Sequence, residues 1–308
     1  MNTRTRDRLK AIIRRPPGRV RRKVRRLRER FVFKREMRLR LISAMVLIPF
    51  VLFSTWLGEL PFLAFVLLTA ALVHYEWLRM VGAGTALPLH LIGTVGLVLA
   101  GAAAQFYGPL PAGLLVAATM VVMAALAHTG AAACKARWAA MGTLYAGLAV
   151  VALIMLRKGE AGFGAVMFVF LIAWASDTAA FFVGRNVGGP KLWPAVSPSK
   201  TWSGAAGGFV AGIVFGAAVA FLLELPVTVV TILAAGCIAA AVQAGDLVES
   251  AAKRRFAVKD AGSLIPGHGG VMDRVDGLIA AALVTAGLGA VTASETPAAG
   301  LLTLMAGS

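Results

Sequence analysis

The residues able to do chemistry crowd into two stretches of this chain. The denser one runs from Gly245 to Gly277 and reads GDLVESAAKRRFAVKDAGSLIPGHGGVMDRVDG. On a continuing helix Asp246, Glu249, Ser250 and Lys253 fall at i, i+3, i+4 and i+7 and share one face. The turn Ile265-Pro-Gly-His-Gly-Gly270 cannot be regular helix, and its glycines permit close backbone approach to a ligand. Asp273 and Asp276, with Arg274 between them, share a face at the start of the next apolar run. Carboxylates converging from two helix ends among several Lys and Arg suit hard cations bridging to phosphates, whereas zinc would ask for Cys or more His. A solvated loop obeying the positive-inside bias would explain the Lys and Arg, but neither the acids at membrane level nor the Gly-His-Gly-Gly turn.

The second stretch runs from Trp174 to Gly208. Asp177 lies inside an apolar run, where an ionised carboxylate is costly unless it meets water, a cation or a partner. Arg185 follows about two helical turns later. Gly188, Gly189 and Lys191 then open a loop holding Ser197, Pro198, Ser199, Lys200 and Thr201 just before a new apolar run. Small hydroxyl residues beside a lysine at a helix start can present N–H groups, hydroxyls and positive charge to phosphate oxygens. The same segment could simply cap the helix that follows.

Most of the chain exists to hold these residues in a membrane. It has 308 residues, 59% hydrophobic and 15% charged, with mean hydropathy +0.80, far from the composition of a soluble domain. Apolar runs of about 20 residues predict spans over 41–58, 61–79, 87–107, 110–128, 139–156, 163–184, 203–222, 226–245 and 275–293. The fold class expected is therefore an all-α polytopic membrane protein with nine transmembrane helices. Of 31 Lys and Arg, 18 lie in residues 1–40 against three acids, so +15 of the formal +17 belongs to that tail. It reads as an attached positive-inside anchor, with Val20, Val24, Leu27 and Phe31 offering the alternative of a basic amphipathic surface helix. It lacks the aromatic or motif context of a nucleic-acid binder. With the N-terminus cytoplasmic, 11 basic residues fall in loops on its side against Arg157 and Lys158 outside. The organisation expected is a basic tail over 1–40, N-terminal helices over 41–165, catalytic helices and loops over 166–293, and a weakly ordered C-terminal tail over 294–308. Cys134 and Cys237 have no metal or redox spacing, so a disulfide framework and a soluble secreted class are excluded. His74 and Glu76, beside Arg79, read as an interfacial belt with a local ion pair, a supporting wall for the site being the alternative; His90 and His128 carry no assigned role.

At Ser250, Lys253, Arg254, Lys259, Asp260, Gly262, Ile265, Pro266, His268, Gly269, Gly270, Asp273, Arg274 and Asp276 the chain resembles the phosphatidate cytidylyltransferases, or CDP-diacylglycerol synthases. Every gap of that family's pattern agrees; Ala252 stands where it usually has a larger aliphatic. Asp177, Gly184, Arg185, Lys191, Ser197, Pro198, Lys200, Thr201 and Gly204 are similar to its upstream segment, so the resemblance is close over about residues 170–280 and excludes the basic tail. It implies transfer of a cytidylyl group from CTP to phosphatidate at a site facing the cytoplasm from the inner membrane, with Mg2+ required and a second cation as a candidate. The partners implied are CTP, phosphatidate and membrane lipids, with a second copy of the chain as a further candidate and no nucleic acid. It implies Asp246 and Asp273 as metal ligands, with Asp276 and Asp177 as supporting or second-metal candidates. Lys200, Lys253, Arg254 and Lys259 are assigned to phosphates, with Arg185, Ser197, Ser199 and Arg274 as further nucleotide-binding candidates. His268 would either donate to a phosphate oxygen or hold the glycine turn. An ion-coupled transporter, the main rival, predicts paired motifs in two related halves, and residues 41–165 hold nothing corresponding to either stretch. An enzyme using CTP on another lipid phosphate is the remaining alternative.

Overall fold

A computed structural model describes residues 42–43, 45–128, 135–265, 269–292 and 295–307. The chain divides into two compact units, one of Met1–Ile48 with Ile265–His268 and one of Pro49–Leu264 with Gly269–Ser308. Almost all of the first unit, including the basic tail and His268, lies outside the described residues.

The second unit is built from apolar helices: α1 (Met45–Leu57, whose first residues belong to the other unit), α2 (Glu59–Met80), α3 (Leu87–Tyr107), α4 (Pro109–His128), α5 (Ala136–Arg157) and α6 (Gly162–Asn186). After a hairpin of β1 (Lys191–Trp193) and β2 (Ser197–Thr201) come α7 (Trp202–Leu222), α8 (Val229–Arg255), α9 (Met272–Ala290) and α10 (Pro297–Ala306). Among the described residues seven helices, α2 to α8, are long and apolar enough to cross a membrane, making this an integral membrane protein of the all-α class. The other two expected spans map onto α1, a shorter apolar helix, and onto α9, whose 19 residues begin with Asp273, Arg274 and Asp276.

Three features position the site. First, α8 is one unbroken helix of 27 residues, about 40 Å at 1.5 Å per residue against a hydrocarbon core of about 30 Å. Its last turns, carrying Asp246 to Lys253, extend the apolar segment instead of ending with it. Second, α7 packs closely on α6 and α8 because Gly204, Gly208, Gly212 and Gly216 recur at intervals of four and are all buried. Third, the segment before α7 is an antiparallel hairpin in which Lys191 faces Thr201 and Trp193 faces Ser197. The sequence predicts only a loop there, since three- and five-residue strands carry almost no periodic signal.

The expected weakly ordered C-terminal tail is instead the helix α10. Thr296 caps it by accepting the Ala299 N–H at 3.2 Å, and Ala298, Leu301 and Met305 are buried. Spaced three and four apart, they form one apolar stripe that a composition count passes over. At the other ends of the spans, Glu59 accepts from Gln105 at 2.5 Å and from the Gly159 N–H at 2.8 Å. Arg157 donates to the Thr55 carbonyl at 2.8 Å and Lys158 to the Gln105 carbonyl at 2.9 Å. The two basic residues expected outside are therefore engaged in one polar knot.

Candidate active site

The helical periodicity of α8 puts Asp246, Glu249, Ser250 and Lys253 on one face, and α9 lies against it. The approach is close because Gly245 has no side chain: a Cβ there would stand 2.6 Å from the Asp276 carbonyl oxygen. As a result Asp246 and Glu249 of α8 and Asp276 of α9 offer carboxylate oxygens that all lie within 4.8 Å of one another. Two unit charges at that separation repel by roughly 3–4 kcal/mol at an effective dielectric of about 20. The trio therefore needs positive charge brought to it.

Part of that charge comes from lysines. Lys200, at the end of β2, forms an ion pair with Asp246, which also accepts the Ser250 hydroxyl at 3.2 Å. Lys253 is ion-paired with Glu249 and reaches Asp273 Oδ1 at 2.7 Å. Asp276 accepts the N–H of its neighbour Gly277 at 2.8 Å. Glu249 is 1% exposed, and its Oε1 has no hydrogen-bond partner. A buried carboxylate oxygen without a hydrogen-bond partner, in a cluster with two further carboxylates, could hold a cation, and an all-oxygen donor set fits a hard divalent ion such as Mg2+. The residues present therefore fit the metal that the resemblance implies.

Asp273, expected as a ligand beside Asp246, stands one step away. Its oxygens are taken by Lys253, by the Ala261 N–H at 3.0 Å and by the Gly270 N–H at 3.0 Å. Asp177 is exposed on α6 and interacts electrostatically with Asp246, Lys200 and Arg274 without being one of the trio. The Ser-Pro-Ser-Lys-Thr segment serves both of its expected purposes: Thr201 caps α7 by accepting the Gly204 N–H at 3.1 Å, while Lys200 reaches the acids. Ser197 and Ser199 lie on β2, and the Ser199 carbonyl accepts from Lys191 at 3.5 Å. Arg254 ties the hairpin to the loop after α8, donating to the Val196 carbonyl at 3.1 Å and the Val258 carbonyl at 3.2 Å. Arg185, Lys259 and Arg274 are exposed, and Arg185 sits over the Phe181 ring at 6.0 Å. His268 lies outside the described residues.

Three residues join this group beyond those the sequence assigned to catalysis or binding. Glu249 shares the face of Asp246 but was given no ligand role, although its i+3 spacing was the available signal. Tyr145 of α5 has a buried hydroxyl with no hydrogen-bond partner and interacts electrostatically with Asp276, Glu249 and Asp246; a tyrosine in an apolar helix announces nothing. Glu76 was expected in an interfacial belt with a local ion pair, a supporting wall for the site being the alternative. Instead it is 1% exposed and accepts the Met272 N–H at 2.8 Å, while Arg79 turns to the Tyr75 hydroxyl at 3.3 Å.

Residues 38–291 match the Cytidylyltransferase family. The phosphatidate cytidylyltransferases of Brucella suis and Brucella melitensis are each 38% identical over 268 residues, which is 84% of this chain and 96% of theirs. The phosphatidate cytidylyltransferase of Bacillus subtilis is 36% identical over 141 residues, 45% of this chain and 52% of its own.

The shared lysine generates the first test. Replacing Lys253 by Met leaves Glu249 and Asp273 buried without their common cation, which should cost about 3–5 kcal/mol of folded-state stability. Lys259→Met, on an exposed residue, should cost less than about 0.5 kcal/mol. Denaturation of both purified variants in the same lipid–detergent micelles measures the difference; equal stabilities would show that Lys253 does not neutralise the pair.

Proposed function

This chain belongs to the cytidylyltransferase family, and we infer that it transfers the cytidylyl group of CTP to phosphatidate, giving CDP-diacylglycerol and pyrophosphate. The observation that carries the reading is the convergence of Asp246, Glu249 and Asp276 within 4.8 Å beside Lys200 and Lys253. An oxygen of the phosphatidate phosphate attacks the α-phosphorus of CTP; the new P–O bond forms as the bond to pyrophosphate breaks. That oxygen is already ionised at neutral pH, so no residue has to act as nucleophile or base. What the protein supplies is positioning and neutralisation of the charge that grows on pyrophosphate. Mg2+ held by Asp246, Glu249 and Asp276 supplies electrostatic stabilisation of the phosphates when bound.

The chain's own cations do the rest. Lys200 stands at the mouth of the hairpin and links it to Asp246, so it can exchange that carboxylate for a phosphate oxygen. Lys259 and Arg274 are exposed, Arg274 interacting electrostatically with Asp177, and both are assigned to the nucleotide phosphates, with Arg185, Ser197 and Ser199 as further contacts. Arg254 keeps the hairpin beside α8 through its bond to Val196. Asp273 fixes Lys253 and the amides of Ala261 and Gly270, and His268, outside the described residues, either donates to a phosphate oxygen or holds the glycine turn. Asp177 faces the site from α6.

In this reading α1 and α9 supply two further crossings, making nine, with a cytoplasmic N-terminus and the site facing the cytoplasm of the inner membrane. The 11-to-2 distribution of loop basic residues and the cytosolic location of CTP support it. The 18 basic residues of the tail would gather anionic lipid, phosphatidate included, without entering the chemistry. A second copy of the chain remains a candidate partner.

Purified protein with labelled CTP, phosphatidate and Mg2+ should produce a labelled CDP-lipid, and Asp246→Asn or Asp276→Asn should each leave less than a tenth of that rate. Absence of product from the unaltered protein, or product only from another lipid phosphate, would refute the assignment; more than a tenth of activity in both variants would refute the ligand set. For orientation, cysteines introduced near Lys191 and Lys259 in a background lacking Cys134 and Cys237 should be labelled from the cytoplasmic side, and one near Lys158 from the other. Labelling of the two motif loops from opposite sides would break the shared site apart.

A further inference from the structure

We propose that Glu76, a membrane-helix carboxylate nearly two hundred residues away in sequence, is a positioning residue that caps α9 from outside and thereby sets Asp276 against Asp246 and Glu249. A helix begins with N–H groups that have no partner within it, and a nearby side-chain oxygen or negative charge normally satisfies them. At α9 the N-cap residue, Val271, makes no side-chain cap. The oxygen that takes the Met272 N–H is Glu76 Oε2, at 2.8 Å across 196 residues. Met272 lies one helical turn before Asp276, so what holds the first turn holds the ligand.

The loop before α9 is shaped to the same carboxylate. A Cβ on Gly262 would overlap Glu76 Oε1, and one on Gly270 would stand 2.7 Å from Oε2. Asp273 grips the same two places from the other side, through the N–H groups of Ala261 and Gly270. Two carboxylates, one from α2 and one from α9 itself, thus hold the N–H groups of Ala261, Gly270 and Met272. Glu76 is 1% exposed and its Oε1 has no hydrogen-bond partner. An apolar residue would fill that space at lower cost, but it could not accept the Met272 N–H. The activity readout of the proposal rests on the CTP reaction inferred above; its structural readout does not.

The test uses the full chain in lipid nanodiscs. Hydrogen exchange of the amides in residues 261–276 should accelerate at least tenfold in Glu76→Ala while the spans elsewhere stay protected. In Glu76→Gln, which keeps an acceptor oxygen, exchange should stay within about threefold of the unaltered protein. The Mg2+ concentration giving half-maximal rate should rise at least fivefold in Glu76→Ala, return most of the way in Glu76→Gln, and leave the KM for phosphatidate unchanged. A merely structural role would lower the yield of folded protein without moving that Mg2+ dependence. If Glu76→Ala does not fold, Gly262→Ala presses on the same carboxylate and should speed exchange of the same amides. Unchanged exchange in Glu76→Ala, or in Gly262→Ala where Glu76→Ala does not fold, overturns the proposal. If the unaltered protein makes no CDP-lipid but the exchange pattern appears, the reaction is wrong and the clamp stands.

Discussion

Like charges crowded at the edge of a membrane have to be neutralised, and that constraint organises this protein. Asp246, Glu249 and Asp276 converge within 4.8 Å, with Asp273 and Asp177 close by. Asp276 against Asp246 and Glu249 would push α9 and α8 apart were there no positive charge between them. Lys253 answers for Glu249 and Asp273, Lys200 for Asp246, and loop amides for the rest of Asp273. Two lysines among three clustered carboxylates leave a deficit of positive charge. A hard cation held by the trio would make it up, and with one in place the site would attract phosphates.

The scaffold follows from the need to bring those groups to one place from four elements. Because α8 outruns the hydrocarbon thickness, its polar last turns need no break from its apolar beginning. Glycines on α7 let α6 and α8 close around it, so the hairpin that precedes α7 lands beside the end of α8 with Lys200 forward. Gly245 lets α9 approach until its first turn meets the α8 acids. Backbone proximity, purchased with small residues, is the common device, and it places charges with few flexible connections.

How much of this was legible in the sequence depended on the range of each interaction. The α8 stripe of Asp246, Glu249, Ser250 and Lys253 was readable because helical spacing is local, and the Gly-rich turn with Asp273 and Asp276 because its residue types oppose everything around them. The α10 segment looked like a tail because composition hides a three-and-four spacing in a short Ala-rich segment. The hairpin was missed since two very short strands carry no period. Which carboxylate does what could not be read at all. Asp273 and Asp276 are equivalent by spacing, and only the packing of α9 on α8 turns Asp276 to the trio and Asp273 to Lys253. Tyr145 comes from a distant helix and no local pattern reports it; for Glu76 a wall of the site was only the alternative to a local ion pair, since Arg79 is the nearer charge in sequence.

The account turns on a cation bound by one particular set of carboxylates, and its position can be seen directly. Crystals of the protein grown with Mn2+ in place of Mg2+ should show an anomalous scattering peak at coordination distance from Asp246, Glu249 and Asp276, and Asp276→Asn crystals should show it weakened or gone. A metal bound instead at Asp273 with the trio empty, or no metal at the trio at saturating Mn2+, would contradict the account.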